Sequence, residues 1–207
     1  MKKSPREFYT EQGAEWLSQR KTDEQTSKEL EYITHFLKKG WKVLDLACGY
    51  GRMAFPLASM GFEVEGIDIT PAFIEKAKEK AEKLNLKIGF RVGDIKALPY
   101  EDNSFDSAIC MWNAFSELVE ENEQISSLKE IHRVLREGGL AFIEVRNHRS
   151  SKLVDANAID GIEAMPSYNH TRGSMRKLMK LSGISSYRVY IDDFGGRKRL
   201  LLEIGKP

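Results

Sequence analysis

The sequence of 207 residues lacks the features that mark several classes of protein. Its two cysteines, Cys48 and Cys110, predict no disulfide framework, and without clustered histidines they predict no metal site. No apolar run approaches the roughly 20 residues of a membrane span, and the charged segment 1–6 lacks the apolar core of a signal peptide. The 32 basic and 31 acidic residues nearly balance, which disfavours a nucleic-acid surface. We therefore expect a cytoplasmic protein without a membrane or nucleic-acid partner.

One short stretch is the most informative, because an apolar run ends at an acid and then meets two glycines. It reads Val43-Leu44-Asp45-Leu46-Ala47-Cys48-Gly49-Tyr50-Gly51-Arg52. Glycines in this register let the backbone approach a ligand closely and leave free N–H groups at the start of the next helix. Asp45 adds a carboxylate beside the same pocket. Such a site suits a ligand with both an anionic and a cationic end.

The glycines alone leave alternatives open. The segment Gly49-Tyr50-Gly51-Arg52-Met53-Ala54 also satisfies the G-x-G-x-x-G/A dinucleotide fingerprint, and a turn that binds nothing is possible as well. Asp68 lies 17 residues after Gly51, where an acid at the tip of a second parallel strand can bind ribose hydroxyls. The alternative for Asp68 is a capping or turn acid.

Apolar periodicity predicts alternating strands and helices along most of the chain. A helix is predicted over about 22–37, strands near 42–46, 62–67, 87–92, 106–112 and 139–146, and helices near 52–60, 71–84, 120–136 and 172–182. Gly138 and Gly139 are expected to stop the long helix before the fifth strand. Two further strands, 187–194 and 198–204, flank Gly195-Gly196-Arg197 as a β-hairpin. This pattern predicts an α/β fold with a doubly wound sheet.

Four segments in register resemble the class I S-adenosylmethionine-dependent methyltransferases, in particular their small-molecule branch. They are VLDLACGYGR, GIDIT, GDIKALPYEDNSFDSAI and HRVLREGGLAFIEV, within about residues 41–146. The dinucleotide fingerprint does not call for this whole series, so the resemblance disfavours a nicotinamide or flavin enzyme. One departure is Ala47, where the family often has glycine; a residue this small narrows the turn without blocking a ligand.

The resemblance implies a single Rossmann-like domain over 1–207. Its seven-stranded, mostly parallel sheet would have the order 3-2-1-4-5-7-6, with the seventh strand antiparallel. Cap helices would occupy about 1–40 and the cofactor-binding core about 41–146. A substrate loop and the C-terminal hairpin would follow over about 147–207.

The resemblance also implies that S-adenosyl-L-methionine binds beyond the carboxyl ends of the strands. Asp45 and Ala47 would face the methionine ammonium, and the Gly49–Gly51 backbone would border the methionine and ribose. Asp68 would bind the ribose hydroxyls. The remaining residues implied at the cofactor are Ile69 against the adenine, Asp94 at the adenine amino group, Ile95 with its N–H at a ring nitrogen, and Met111 in the fourth strand. The alternative for Ile95 is an ordinary core residue.

The sequence contains no Ser-His-Asp series, paired-carboxylate signature or metal motif, so no catalytic residue is assigned. We expect in-line displacement onto a small-molecule acceptor, catalysed mainly by positioning, with a base needed only for a protonated acceptor. The alternatives are an RNA or protein methyltransferase and a cofactor-binding module without activity. A monomer or a homodimer is expected.

Candidate acceptor contacts come from segments around the expected methyl position. They are Tyr9, Asn113, Phe115, Arg146, Tyr168 and His170. Phe8, Tyr9 and Trp16 are placed before the first helix, and the connection of about 24 residues over 147–170 is long enough to suggest a function. Arg146 has an equally plausible alternative as a strand-end residue in a salt bridge with a surface acid.

Overall fold

The computed structural model of the chain describes residues 3–154, 165–193 and 198–207. Its helices are α1 (Pro5–Ser18), α2 (Asp23–Thr34), α3 (Ala54–Ser59), α4 (Pro71–Lys83), α5 (Glu121–Val134) and α6 (Arg172–Ser182). The strands are β1 (Lys42–Leu46), β2 (Glu63–Asp68), β3 (Ile88–Val92), β4 (Phe105–Cys110), β5 (Leu135–Arg146), β6 (Lys152–Val154), β7 (Ser167–Asn169), β8 (Tyr187–Asp193) and β9 (Lys198–Gly205). A 3-10 turn, Ala114–Glu117, follows β4.

Seven of these strands form one sheet in the order β3-β2-β1-β4-β5-β9-β8. The neighbouring strands from β3 to β5 pair in parallel, and β9 runs antiparallel to β5. Counted within this sheet, the order is the predicted 3-2-1-4-5-7-6, so the Rossmann-like fold class is confirmed. The point where the order reverses lies between β1 and β4, and ligands of such sheets bind there.

Side chains alternate along β1 between two apolar clusters, one on each face of the sheet. Leu44 joins the cluster beneath α5 and α6, whereas Val43 joins the cluster beneath α2, α3 and α4. Asp45 shares the face of Val43, at the end of the strand where the second cluster gives way to the glycine turn. The core therefore fixes the direction in which this carboxylate points.

Several local expectations need correction. Phe8, Tyr9 and Trp16 do not precede the first helix but lie within α1, which Pro5 and a capping box at Ser4 begin. Strand β5 starts at Leu135, directly after α5, so the Gly138–Gly139 pair lies inside the strand and does not stop the helix. The physical reason is a register shift, because Leu135 pairs with Phe105 before the ladder resumes at Leu140.

The remaining predicted strands and helices are present within a few residues of their expected bounds. The antiparallel pairing of β8 with β9 agrees with the expected hairpin, whereas its turn, Gly195-Gly196-Arg197, lies outside the described residues. A small sheet of β6 and β7 was not predicted. None of the helices in the described part of the chain combines the length and apolar character needed to cross a membrane. The proposed domain bounds stay a prediction.

Candidate active site

A cavity of about 330 Å³ lies at the carboxyl ends of β1, β2 and β4, beneath α1. It brings together residues that the sequence analysis selected from widely separated segments. Those that line it are Tyr9, Asp45, Ala47, Gly49, Asp68, Ile69, Met111, Asn113 and Arg146. The residues expected on the cofactor side and those expected on the acceptor side therefore line one cavity.

Other selected residues do not line this cavity. Gly51 lies within the turn, the Asp94 carboxylate accepts the Lys96 N–H at 2.9 Å, and Ile95 is buried in the core. Phe115, Tyr168 and His170 stack as a separate aromatic cluster, with the His170 ring 5.5 Å from Phe115 and 5.0 Å from Tyr168. Burial lowers the pKa of His170 to about 4, so this side chain is neutral near pH 7. The roles suggested for these residues stay predictions.

The turn after β1 takes its shape from residues in the left-handed region. Ala47, Gly49 and Gly51 have φ angles of 51°, 56° and 88°. A Cβ on Gly51 would lie 2.7 Å from the Phe55 ring, so both conformation and space require glycine there. The left-handed φ of Ala47 gives a physical reason why glycine is common at that position in the family.

Asp68 holds the glycine turn as well as lining the cavity. Its carboxylate accepts hydrogen bonds from the Gly49 N–H at 2.9 Å and from the Thr70 N–H at 2.8 Å. Burial raises the pKa of Asp68, and these two bonds oppose the shift. The turn-acid interpretation of Asp68 is therefore present in the structure, and it does not compete with a ribose role, because each oxygen can accept more than one hydrogen bond.

Asp45 places a buried carboxylate in the wall of the cavity. The residue is 2% exposed, and its Oδ2 has no hydrogen-bond partner among the described residues. Burial raises the pKa of Asp45 to about 7, while the charge of Arg52 acts in the opposite direction and that of Asp68 adds to the rise. The residue lines the cavity, and a buried carboxylate oxygen without a donor suits a ligand that carries an ammonium group.

Three buried charges join the N-terminal helices to the glycine turn. Glu29 on α2 forms ion pairs with Lys21 and with Arg52, the latter at 2.7 Å between Nη1 and Oε2. Both cations also face the Trp112 ring, each 5.5 Å from its centroid. Burial, followed by the nearby Arg52 charge, lowers the pKa of Lys21 to about 8. No motif in the sequence indicated this cluster.

The predicted site residue Tyr9 is joined across the cavity to Glu117, which no sequence motif indicated. The Tyr9 hydroxyl donates to Glu117 Oε1 at 2.6 Å, although the two residues are 108 positions apart. Burial raises the pKa of Glu117 to about 8, while the bond from Tyr9 lowers it and the charge of Asp68 raises it further. The pKa of Tyr9 is also raised by burial and by the Glu117 charge. The only sequence signal for Glu117 was its place just after the fourth strand.

Asn113 is engaged within the protein. It has a left-handed φ of 66°, and its Oδ1 accepts the Arg146 N–H at 2.8 Å and the Ser116 hydroxyl at 2.9 Å. The Asn113 N–H donates to Glu144, which also pairs with Arg199. Asn113 thus fixes the ends of β4 and β5 at the cavity. Arg146 is exposed, and no described acid forms an ion pair with it, so the salt-bridge alternative finds no support in this part of the chain.

Comparison with known proteins gives relatives at moderate identity. The chain is 30% identical over 125 residues to the putative methyltransferase YqeM of Bacillus subtilis (strain 168), covering 60% of this chain and 49% of the relative. It is 36% identical over 110 residues to a ubiquinone biosynthesis O-methyltransferase of Methylocella silvestris, covering 53% and 41%. The chain thus spans about half the length of the curated relatives it matches.

The structural comparison covers more of the molecule. The PH0226 protein of Pyrococcus horikoshii OT3 superposes with a TM-score of 0.71 at 26% identity, over 90% of this chain and 93% of that chain. A family described as a methyltransferase domain matches residues 43–139, from β1 into β5. Residues 43–139 of the chain thus form a methyltransferase domain of the class I S-adenosylmethionine-dependent type. The resemblance found in the sequence is thereby confirmed, and S-adenosylmethionine is the cofactor of this methyltransferase family.

The residues of the cavity fit that cofactor chemically. The orphaned Asp45 oxygen suits the methionine ammonium, and the turn at Gly49 brings backbone to the cavity wall without a side chain. Asp68 keeps acceptor capacity for ribose hydroxyls, and Ile69 supplies an apolar surface. In the described part of the chain, no group of three or more His, Cys, Asp or Glu side chains is arranged to hold a metal ion.

Proposed function

We propose that this protein transfers the methyl group of S-adenosylmethionine to a small-molecule acceptor. The observation that carries the proposal is the buried, unpartnered carboxylate oxygen of Asp45 in the same cavity as the glycine turn and Asp68. A carboxylate in that position is costly unless a donor or a cation completes it. The zwitterionic methionine end of the cofactor supplies an ammonium group of the required charge.

We assign the cofactor contacts to the residues of the turn and the two strand ends. Asp45 would hold the ammonium, Asp68 the ribose hydroxyls and Ile69 the adenine, with the Gly49 backbone alongside. When bound, S-adenosylmethionine supplies an electrophilic methyl group attached to a sulfonium. The chain would contribute mainly by placing the acceptor and by excluding water beneath α1.

The walls of the cavity support a small and partly apolar acceptor. Aromatic side chains from α1 and from the end of β4, namely Phe8, Tyr9, Trp16 and Trp112, line it. An enclosed space of about 330 Å³ with such walls is typical of small-ligand sites. A relative named for O-methylation in ubiquinone biosynthesis agrees with this class of acceptor. Asn113 and Arg146 are the polar groups that we place on the acceptor side.

Calorimetry tests the cofactor part of the proposal. We expect S-adenosylmethionine and S-adenosylhomocysteine to bind with micromolar affinity, roughly −8 kcal/mol, and NAD to bind far more weakly. Asp45→Asn, which keeps the shape but removes the charge, should weaken S-adenosylmethionine binding about tenfold. Tight NAD binding together with no heat from S-adenosylhomocysteine would overturn the assignment.

Acceptor identity calls for a second experiment. Purified protein incubated with methyl-labelled cofactor and a metabolite extract should give a labelled small molecule that mass spectrometry can identify. Label appearing only in RNA or protein fractions would replace the small-molecule proposal. Once an acceptor is known, Arg146→Ala should raise its half-saturation concentration while cofactor affinity stays unchanged.

A further inference from the structure

Glu117 has a setting that cofactor binding by Asp45 and Asp68 does not explain. It ends the 3-10 turn after β4, and it lines the same cavity. Its Oε1 accepts the Tyr9 hydroxyl at 2.6 Å, whereas Oε2 has no hydrogen-bond partner among the described residues. No described Lys, Arg or His forms an ion pair with this carboxylate either. One oxygen therefore stays available to a ligand in the cavity.

The charges around Glu117 do not neutralise it. From β2, Asp68 repels it, and from β4 the neighbouring Cys110 is a neutral thiol whose pKa burial and acidic neighbours raise. From β5, the charge of Arg146 lowers the pKa of Tyr9, and Arg146 forms no ion pair with Glu117 in the described part of the chain. Glu117 is half-buried, and the cost of taking an unpaired carboxylate out of water is normally removed by a proton or by a cation.

Two further elements packed near the 3-10 turn add no cation. On β5, the buried Glu144 is already paired with Arg199. Beyond β7, His170 is neutral near pH 7, since burial lowers its pKa to about 4. Glu117 thus carries a proton in the free protein near neutral pH, in keeping with a pKa that burial raises to about 8.

Resting on the proposed function, we propose that Glu117 recognises the sulfonium charge of S-adenosylmethionine and distinguishes it from the uncharged product. The ammonium and the ribose, which we assign to Asp45 and Asp68, are the same in S-adenosylmethionine and S-adenosylhomocysteine. Only the sulfonium separates the two molecules by charge. A Glu117 carboxylate that faced the sulfonium would favour the cofactor, and the neutral thioether of the product would gain nothing from it.

Proton balance follows from this assignment. When the cation enters, the Glu117 carboxylic acid releases its proton to solvent and becomes a carboxylate. When the uncharged product remains, the carboxylate takes a proton back from solvent. Tyr9 is a positioning residue in this scheme, because its hydroxyl orients the carboxylate from α1 and leaves the second oxygen for the ligand.

The test is calorimetry of both ligands in two buffers of different ionisation enthalpy at the same pH. At about pH 7.5 we expect wild-type protein to release more protons on binding S-adenosylmethionine than on binding S-adenosylhomocysteine, and the difference should be at least about half a proton per molecule bound. At about pH 9.5 the difference should vanish, because Glu117 is then already ionised in the free protein. This comparison uses wild-type protein alone and does not depend on how a variant folds.

Variants assign the proton to one residue. Glu117→Gln should abolish the difference in proton release and weaken S-adenosylmethionine about tenfold, with S-adenosylhomocysteine changed by less than about twofold. Tyr9→Phe should keep the preference for S-adenosylmethionine, since the carboxylate remains. Glu120→Gln is the matched control, because Glu120 is exposed and makes no side-chain cap hydrogen bond, and it should behave as wild type.

The outcomes separate this inference from the proposed function. Absence of heat from both ligands would refute the proposed function and this inference with it. Binding of both ligands by wild type with equal proton release would refute this inference alone. The same conclusion would follow if Glu117→Gln weakened both ligands equally or left the difference in proton release unchanged.

Discussion

Replacing Lys21 with methionine should stabilise the protein near neutral pH, although the change removes a buried ion pair. Lys21 and Glu29 have side-chain exposures of 6% each, and Arg52, at 10%, already pairs with Glu29 at 2.7 Å. Two cations therefore form direct ion pairs with the same carboxylate, Glu29. Burial, followed by repulsion from Arg52, lowers the pKa of Lys21 from 10.5 to about 8 in spite of its contact with Glu29.

The size of the effect follows from this shift. An amine whose pKa is lower in the folded than in the unfolded protein destabilises the fold wherever it must be charged. From the values 10.5 and about 8, the cost is about 3 kcal/mol at about pH 7.5 and roughly half as much at about pH 9.5. Methionine fills a similar volume, and Glu29 keeps Arg52 as its partner. The substitution also removes a cation–π contact between Lys21 and Trp112, which offsets part of this gain. We therefore expect Lys21→Met to raise the free energy of unfolding by about 1–3 kcal/mol at about pH 7.5.

Urea unfolding followed by tryptophan fluorescence at the two pH values measures the effect. The advantage of Lys21→Met should shrink as the pH rises from about 8 towards 10.5, because wild-type Lys21 then loses its proton in the folded state. Lys28→Met is the control, since Lys28 is 44% exposed and pairs with Glu24 four residues away; it should change stability by less than about 0.5 kcal/mol. Destabilisation of Lys21→Met by more than about 1 kcal/mol at about pH 7.5 would show that the ion pair outweighs the burial cost.

Three other substitutions test the turn at the cofactor site. Asp68→Ala should weaken S-adenosylmethionine binding at least about tenfold and also lower the melting temperature, since the carboxylate accepts two backbone N–H groups; unchanged affinity in calorimetry would leave Asp68 a turn residue only. Gly51→Ala should destabilise by about 2–4 kcal/mol in urea titration because of its positive φ and the Phe55 ring, and a loss under about 1 kcal/mol would contradict that geometry. Ala47→Gly should stabilise by up to about 1 kcal/mol, as relief of the left-handed φ outweighs the added unfolded-state entropy; clear destabilisation would refute strain at this position.

Much of the fold was predictable because its signals are local. Alternation and period in the apolar residues located the parallel strands and the crossover helices, and the glycines after β1 marked the turn that lines the cavity. The order of the strands came from the family resemblance, since periodicity alone does not determine which strands are neighbours. Asp68 was found from its distance to the glycine turn, and its second role as an acceptor for Gly49 and Thr70 needed the structure.

The residues that were missed depend on tertiary contacts. Glu117 belongs to no motif, and its bond to Tyr9, which was expected only as an acceptor contact, joins positions 108 residues apart. Lys21 lies between α1 and α2, where a lysine is usually solvated, and only burial against Glu29 and Trp112 makes it unusual. Phe115 and His170, which were chosen for their place after strands, instead stack on each other away from the cavity. The position of these residues in the sequence correctly predicted the edge of the sheet at which they lie, but it did not predict the direction of each side chain.

The backbone of α1 explains how one short segment reaches both sides of the cavity. Gly13 interrupts the helix with φ 79° and ψ 167°, values outside the helical region and accessible chiefly to glycine. Before the break, Tyr9 donates to Glu117; after it, the Leu17 side chain lies 3.4 Å from where a Cβ on Gly49 would be. A continuous helix would fix both halves along one axis, whereas the break lets each half follow its own wall. The same helix therefore covers the glycine turn through Leu17 and orients, through Tyr9, the Glu117 carboxylate that we assign to the sulfonium. A change in the position of α1 should thus affect both cofactor binding and the protonation of Glu117.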